Sequence, residues 1–429
     1  MLPATAVTAG FVIAVISAHA AGRTEPDPTD SAKAWLRLGL AVLLSTIGGV
    51  GMWSVVVALP AIQAEFGVAR ADAALPFTFA MLGFAAGGVI TGRLADRFGI
   101  AVPLALGTLA LGLGYLAVGQ AATLWQVAIA HGLLIGFGCS ATFGPLIADM
   151  SHWFVRRRGI AVAIAASGNY LAGTFWPPVV QHFIAAQGWR ATHTGIGVFL
   201  LVSMLPLTYL LRRRMPAHHT EAAGQSAACR QAELPFSAVT LQVLLCIAGI
   251  ACCVAMSMPQ VHIVAYCGDL GYGAARGAEM LSLMLGFGIV SRVASGFIAD
   301  RIGGVRTLLL CSVLQGTAQY LYRFIDGLGS LYVISALFGL FQGGIVPSYA
   351  IIVREYFSPR EAGTRVGLVL MATLIGMALG GWMSGAIFDL TGSYQAAFLN
   401  GLGWNLLNVS IATWLLLRSP RRPLLAQHI

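Results

Sequence analysis

Charge is what this sequence has least of. Only 10% of its 429 residues are Asp, Glu, Lys or Arg, against roughly a quarter in soluble domains, so water is not its main solvent. It also lacks the patterns of the metal-bound and disulfide-stapled classes. The seven cysteines, Cys139, Cys229, Cys246, Cys252, Cys253, Cys267 and Cys311, form no CxxC unit and sit mostly in apolar runs, which argues against a zinc site or a disulfide framework. No HExxH, no paired His/Asp motif and no nucleophile with a base at fixed spacing is present, so an enzyme is not expected. Glycine strings such as Gly136 to Gly138 follow no strand and open no helix, so nucleotide binding has no support and no cofactor or metal is expected. Acidic residues are scarcer than basic ones, 16 against 25, for a net charge of +9. The basic residues lie in short clusters between apolar runs, which topology explains without nucleic acid.

What the chain has instead is apolar length. Hydrophobic residues make up 58% of it and the mean hydropathy is +0.80. Runs of about 20 apolar residues, enough to cross a bilayer as a helix, recur throughout. They place spans at 36–60, 73–92, 101–120, 124–150, 159–186, 194–211, 237–267, 277–299, 305–325, 329–353, 364–388 and 395–417. An all-α membrane protein of twelve transmembrane helices is therefore expected, because a helix satisfies its own backbone inside lipid. The long polar break at 213–236 reads as a linker that divides the spans six and six. The expected parts are an extension over 1–35, bundles over 36–212 and 237–418, and a tail over 419–429.

Orientation follows from the basic residues. Arg23 lies in the extension and Arg292 inside a span; Arg70, Arg190, Arg276 and Arg323 fall on one side of the membrane and all the others on the opposite side. Cytoplasmic loops retain Lys and Arg, which puts both termini and the linker in the cytoplasm. Residues 11–20 are apolar and end in Ala18-His19-Ala20, like a signal-peptidase site, but no basic n-region precedes them. Cleavage there would also translocate the N-terminus against Lys33 and Arg37, so the segment is read as a disordered extension or an upstream start.

The halves repeat each other. MLGFAAGGVITGRLADRFG at 81–99 returns as MLGFGIVSRVASGFIADRIG at 284–303 with one residue of slippage. WFVRRRGIAVAIAASGNYLAG from Trp153 pairs with YFSPREAGTRVGLVLMATLIG from Tyr356, and Pro145 pairs with Pro347. Duplicated six-span units build transporters whose solute site lies near the midplane between halves. GRLADRFG, echoed by GFIADRIGG, resembles the signature loop of the major facilitator superfamily. That resemblance covers all twelve spans and implies two six-helix bundles related by a pseudo-two-fold axis. In the loop, Gly92 and Gly296 let helices approach, while Asp96 and Asp300 beside Arg97 and Arg301 suit a gate that latches the halves at the cytoplasmic end.

Three further passages resemble the monocarboxylate porter family and its oxalate-transporting relatives: WFVRRRGIAVAIAASGNYLAG with Pro177, Pro178 and Gly188 to Arg190; MPQVHIVAYCGDLG at 258–271; and SRVASGFIAD at 291–300. The last puts Arg292 where that family carries an anion-binding arginine. The resemblance implies a carrier in a bacterial inner membrane. By residue count alone Arg292 lies eight residues before Asp300, about 12 Å deeper. A cation at that depth needs a cavity or a partner, and its planar fork matches a carboxylate. Span eleven lacks the second cation of oxalate porters, so one carboxylate is expected. The function expected is a secondary carrier for a small monocarboxylate such as lactate or pyruvate, moved with a proton; an exchanger or exporter of another organic anion, oxalate-like, formate-like or amphipathic, is the alternative.

Where animal monocarboxylate porters show a lysine in span one and an aspartate one turn before the arginine, this chain has Ala61 and Gly288. Asp269, which resembles an acidic position of bacterial members, and His262 remain for proton coupling, with Asp269 able to pair with Arg292; His131 is a weaker candidate. Asn169, Tyr170, Gln260, Gln342 and Tyr349 would complete a site for a small acid, with Phe143 where family members tend to place a tyrosine. Asn400, Trp404, Asn405 and Asn408 read as structural. The expected partners are a small organic anion, a proton and the lipid bilayer.

Overall fold

The computed structural model describes residues 29–154, 156–212 and 237–418, and every regular element among them is helical. The linker 213–236, the tail 419–429 and residues 1–28 of the extension lie outside the described residues. The helices form twelve rods: α1 (Ala32–Phe66), α2 (Arg70–Phe98), α3 (Ala101–Gly119), α4 (Leu124–Trp153), α5 (Arg158–Gln187), α6 (Trp189–Leu210), α7 (Ala238–Asp269), α8 (Ala274–Ile302), α9 (Gly304–Leu321), α10 (Leu328–Tyr356), α11 (Pro359–Thr391) and α12 (Tyr394–Arg418). Nine of them are long and apolar enough to cross a membrane; α5, α9 and α12 have the length but carry more polar residues.

Local chemistry explains the boundaries. Ser31 opens α1 by accepting from the Ala34 amide at 3.3 Å, which starts the helix four residues before the apolar run. Thr123 and Gln126 form a capping box at the start of α4. Gly99 and Gly303 close α2 and α8 with φ of 79° and 85°, values that side-chain-bearing residues rarely adopt. The repeated motif therefore ends on glycine for the same backbone reason in both halves. Helix α4 contains a π-helical turn at His131–Gly136 and breaks near Phe143, just before Pro145; α10 breaks at Gly343 and Gly344, just before Pro347.

Packing within each half follows one scheme. Helix α1 packs on α5, α2 on α4 and α3 on α6; in the second half α7 packs on α11, α8 on α10 and α9 on α12. Close approach in the α2–α4 and α8–α10 pairs depends on Gly83 and Gly339, where a Cβ would overlap the backbone of Gly132 and Met284. Between halves, α2 meets α11 and α5 meets α8, and these two seams exchange under the same pseudo-two-fold relation; α1 meets α7 at the axis. The ends of α2, α6, α8 and the start of α7 share one face of the bundle, termed the linker end. The opposite face, with the starts of α2, α8 and α12, is the far end.

Candidate functional site

Arg292 sits about two-thirds of the way along α8 from the far end, on the face that meets α5. Its Nη1 donates to the carbonyl of Ala166 at 3.1 Å, and the guanidinium lies 4.2 Å over the ring of Tyr170. Its Nε is buried with no hydrogen-bond partner, and no ion pair joins it to a described carboxylate. One side of the half-buried cation is thus tied down and stacked, while its Nε hydrogen has no acceptor. A cation inside a span without a counter-ion is costly unless something anionic visits it.

Two other orphaned polar atoms lie nearby. Asn169 Oδ1, on α5 beside Gly49 of α1, is buried without a partner, and so is the indole Nε1 of Trp53 on α1. Trp53 packs against Gly173, one turn beyond Asn169, where a Cβ would lie 3.0 Å from its Nε1. Tyr170 owes its place to Gly288, because a Cβ at 288 would overlap the ring. Ala166, Asn169, Tyr170 and Gly173 share one stripe of α5 by their spacing. The structure therefore gathers Arg292, Asn169 and Tyr170, and adds Trp53, which the sequence reading missed because a tryptophan in an apolar span looks like core.

Gln260 on α7 donates to Gln342 Oε1 on α10 at 3.0 Å, and Gln342 Nε2 is left unpartnered. Gly343, next in sequence, packs on Gly288 and Ser291 of α8, so Gln342 lies about a turn nearer the far end than Arg292, and Gln260 farther still in that direction. Phe143 is half-buried against Phe84, 6.1 Å between ring centroids. Tyr349 is turned elsewhere: its hydroxyl donates to Asn408 Oδ1 at 2.9 Å inside the second half. His131 bonds the Val127 carbonyl at 2.8 Å within its own helix.

Asp269 and Arg292 are not brought together. Arg292 lies eighteen residues into α8, about 27 Å from the hairpin that joins it to Asp269. The expected pairing is corrected: Asp269 is taken by Arg70, from the other half, with Nη1 at 3.1 Å from Oδ2 and Nη2 at 3.2 Å from Oδ1. Arg70 Nη1 also donates to the hydroxyl of Tyr394 at 2.6 Å, and its guanidinium stacks 4.6 Å over Phe388. Asp389 accepts from the backbone amides of Arg70 and Ala71 at 2.8 Å each. Three helices of the second half thus clasp the first turn of α2. Under the clasp, His262 Nδ1 lies 3.1 Å from the Tyr394 hydroxyl and Nε2 lies 2.8 Å from the Gly381 carbonyl, so both ring nitrogens are engaged.

Arg70 and Asp389 were both missed in the sequence. Arg70 read as a loop cation, and Asp389 fell one residue beyond the expected end of span eleven. An acid and a base at span ends on the same membrane face was the available signal. The other ion pairs, Arg37–Asp149, Arg190–Glu65, Arg276–Glu279 and Arg365–Glu361, each stay within one half. At the linker end Asp96, Arg97, Asp300 and Arg301 are exposed, and their side chains make no hydrogen bond or ion pair with a described residue. The residues expected to form a gate thus have no such contact with a described residue, while the far end is clasped.

Known proteins match this arrangement. A family model described as Major Facilitator Superfamily matches residues 41–322 and 280–427. Monocarboxylate transporter 13 of Bos taurus is 30% identical over 322 residues, spanning 73% of each chain. The MFS-type transporter pynF of Aspergillus niger is 25% identical over 331 residues, 76% of this chain and 74% of its own. Among solved structures, a bacterial homolog to the human lysosomal transporter Spinster, in an inward-facing and unoccupied conformation, superposes with a TM-score of 0.65 at 15% identity, covering 91% of this chain and 96% of that one.

Proposed function

The chain belongs to the Major Facilitator Superfamily and is a multi-pass membrane transporter, not an enzyme, and from that premise we propose that it carries a small monocarboxylate, of the lactate or pyruvate class, by alternating access. The observation that carries this reading is the unpartnered Nε of Arg292, a cation held against Ala166 and Tyr170 with no carboxylate of its own. A single guanidinium edge suits a single carboxylate. Asn169 and Tyr170 flank Arg292, Gln260 and Gln342 are placed nearer the far end to complete the site, and Phe143 serves as supporting wall, while Tyr349 is held by Asn408 inside the second half. The similarity to monocarboxylate transporters of cattle and rat supports the same class.

The asymmetry of basic residues supports a cytoplasmic linker end, with both termini on that face of a bacterial inner membrane. Proton coupling is assigned to the far-end network that holds Asp269 and His262. Asp96, Arg97, Asp300 and Arg301 form the opposing gate when the linker end closes. An exporter of a larger organic anion is the second reading, favoured by the likeness to fungal MFS-type transporters.

Reconstituted Arg292→Gln protein is expected to insert normally and to lose carboxylate uptake. A thermal-shift panel of mono- and dicarboxylates names the ligand: one acid should stabilise the wild type and leave Arg292→Gln unmoved. Uptake at the wild-type rate by the variant removes the anchor from the site.

A further inference from the structure

We propose that Asp389 and Asp269 together form the proton site of this carrier on its far face, and that protonation of the pair releases the clasp on α2 and lets the far end open. The inference rests on the alternating-access part of the reading above and not on which anion is carried.

Leverage comes first. Asp389 spends both carboxylate oxygens on the amides of Arg70 and Ala71, the exposed N–H groups at the start of a helix from the opposite half. The approach is close because Gly385, one turn earlier on α11, has no side chain; a Cβ there would lie 2.8 Å from Ala71 Cα. Asp269 grips the same residue through two guanidinium contacts. A proton on either carboxylate weakens its own contact with this turn of α2, and protons on both remove the two charges that hold it to the second half.

The charge balance favours that proton. Facing the clasp are Arg70 and the exposed Asp72 on α2, Asp269, Tyr266 and His262 on α7, Asp326 before α10, with its carboxylate on the Tyr266 hydroxyl at 3.1 Å, Asp389 on α11 and Tyr394 on α12. Arg323, after α9, bonds Gln395 beside Tyr394. Acids outnumber bases, so the cluster attracts a cation. His262 is not where the proton goes. Arg70 donates to the Tyr394 hydroxyl, which leaves that hydroxyl's own proton for His262 Nδ1, and Nε2 donates to the Gly381 carbonyl. A neutral ring satisfies both contacts, and a second ring proton breaks the first. The carboxylate is also within reach of the medium: the Asp269 side chain is 39% exposed, against 9% for Arg70. The contacts that hold the clasp need charged carboxylates, so the clasp holds while both are ionised and yields as they take up protons.

Hydrogen exchange of the reconstituted full chain, corrected for intrinsic chemistry, tests this on peptides covering 66–80. Wild-type exchange there should be about threefold faster at pH 4 than at pH 7.5. Asp269→Asn/Asp389→Asn should exchange fast at both values, while Asp72→Asn keeps the wild-type response. A far end insensitive to pH, a double variant that keeps the wild-type response, or an Asp72→Asn protein that loses it overturns the proposal. Peptides from α9 and α12 report folding; if the double variant fails there, Asp389→Asn alone is read, and an unchanged response overturns the proposal equally. Absence of binding to every carboxylate overturns the substrate reading and leaves this measurement standing.

Discussion

Arg292 differs from the other cations of this chain in what surrounds it rather than in what it is. Arg37 and Arg70 are more deeply buried, and each has a carboxylate within 3.1 Å. Half-buried Arg292 has a carbonyl, an aromatic face and an Nε hydrogen without an acceptor. Depth along the span was enough to single it out in the sequence, because a charge in hydrocarbon demands a reason. Its supports were not legible there: Gly288 reads as one small residue among 52 glycines, yet it is the gap that admits Tyr170 under the guanidinium. Gly288→Ala is therefore expected to push the ring off the cation, at a cost of about 1–3 kcal/mol for an overpacked contact. Measured as binding, the variant should show a weakened carboxylate Kd with near-normal expression. A Kd equal to the wild-type value would mean that the stack does not position Arg292.

At the scale of single helices, the polar spans α9 and α12 are the informative ones. Their amides bind neighbouring helices: from α12, Asn405 donates to the Ser312 carbonyl at 3.0 Å and Asn408 to the Ser312 hydroxyl at 2.8 Å, while Gln315 and Gln319 of α9 reach the carbonyls of Cys252 and Ala255 on α7. Residues that make these spans look poor by hydropathy are what joins them. The sequence reads Asn405 and Asn408 as structural, but could not show that the Tyr349 hydroxyl bonds Asn408. Asn408→Leu removes the acceptor of the buried Tyr349 hydroxyl and should lower stability by about 1–3 kcal/mol. The expected signature is a lower melting temperature in detergent with carboxylate binding retained. Loss of binding at unchanged melting temperature would instead move Tyr349 into the substrate site.

For the whole molecule, the two ends are in opposite conditions. The far end is clasped through Arg70, Asp269, Asp389 and Tyr394, and the signature residues at the linker end bridge nothing. A carrier that alternates must exchange these conditions, and the motif charges at Asp96 and Asp300 are placed to hold the other state. Spin labels on the linker ends of α2 and α11 can follow this. Wild-type protein in lipid should populate two distances, and Asp96→Asn/Asp300→Asn should shift the population toward the longer one. An unshifted distribution would reduce the motif to a helix-end and topology role.

The sequence by itself determined the number and order of the helices, the duplication and the family, because each rests on features that are local or periodic: apolar length matched to a bilayer, a repeated motif ending on glycine, clusters of base between spans. It also singled out Arg292, since depth along one helix is a count of residues. Only the tertiary structure decided partners. Asp269 adjoins Arg292 by hairpin order, yet about 27 Å of helix separates them, while Arg70, 199 residues away in the chain, lies in contact across the seam. Side chains meet by the rotation and pairing of whole helices, and apolar periodicity, faint in helices surrounded by both lipid and protein, does not encode which faces meet.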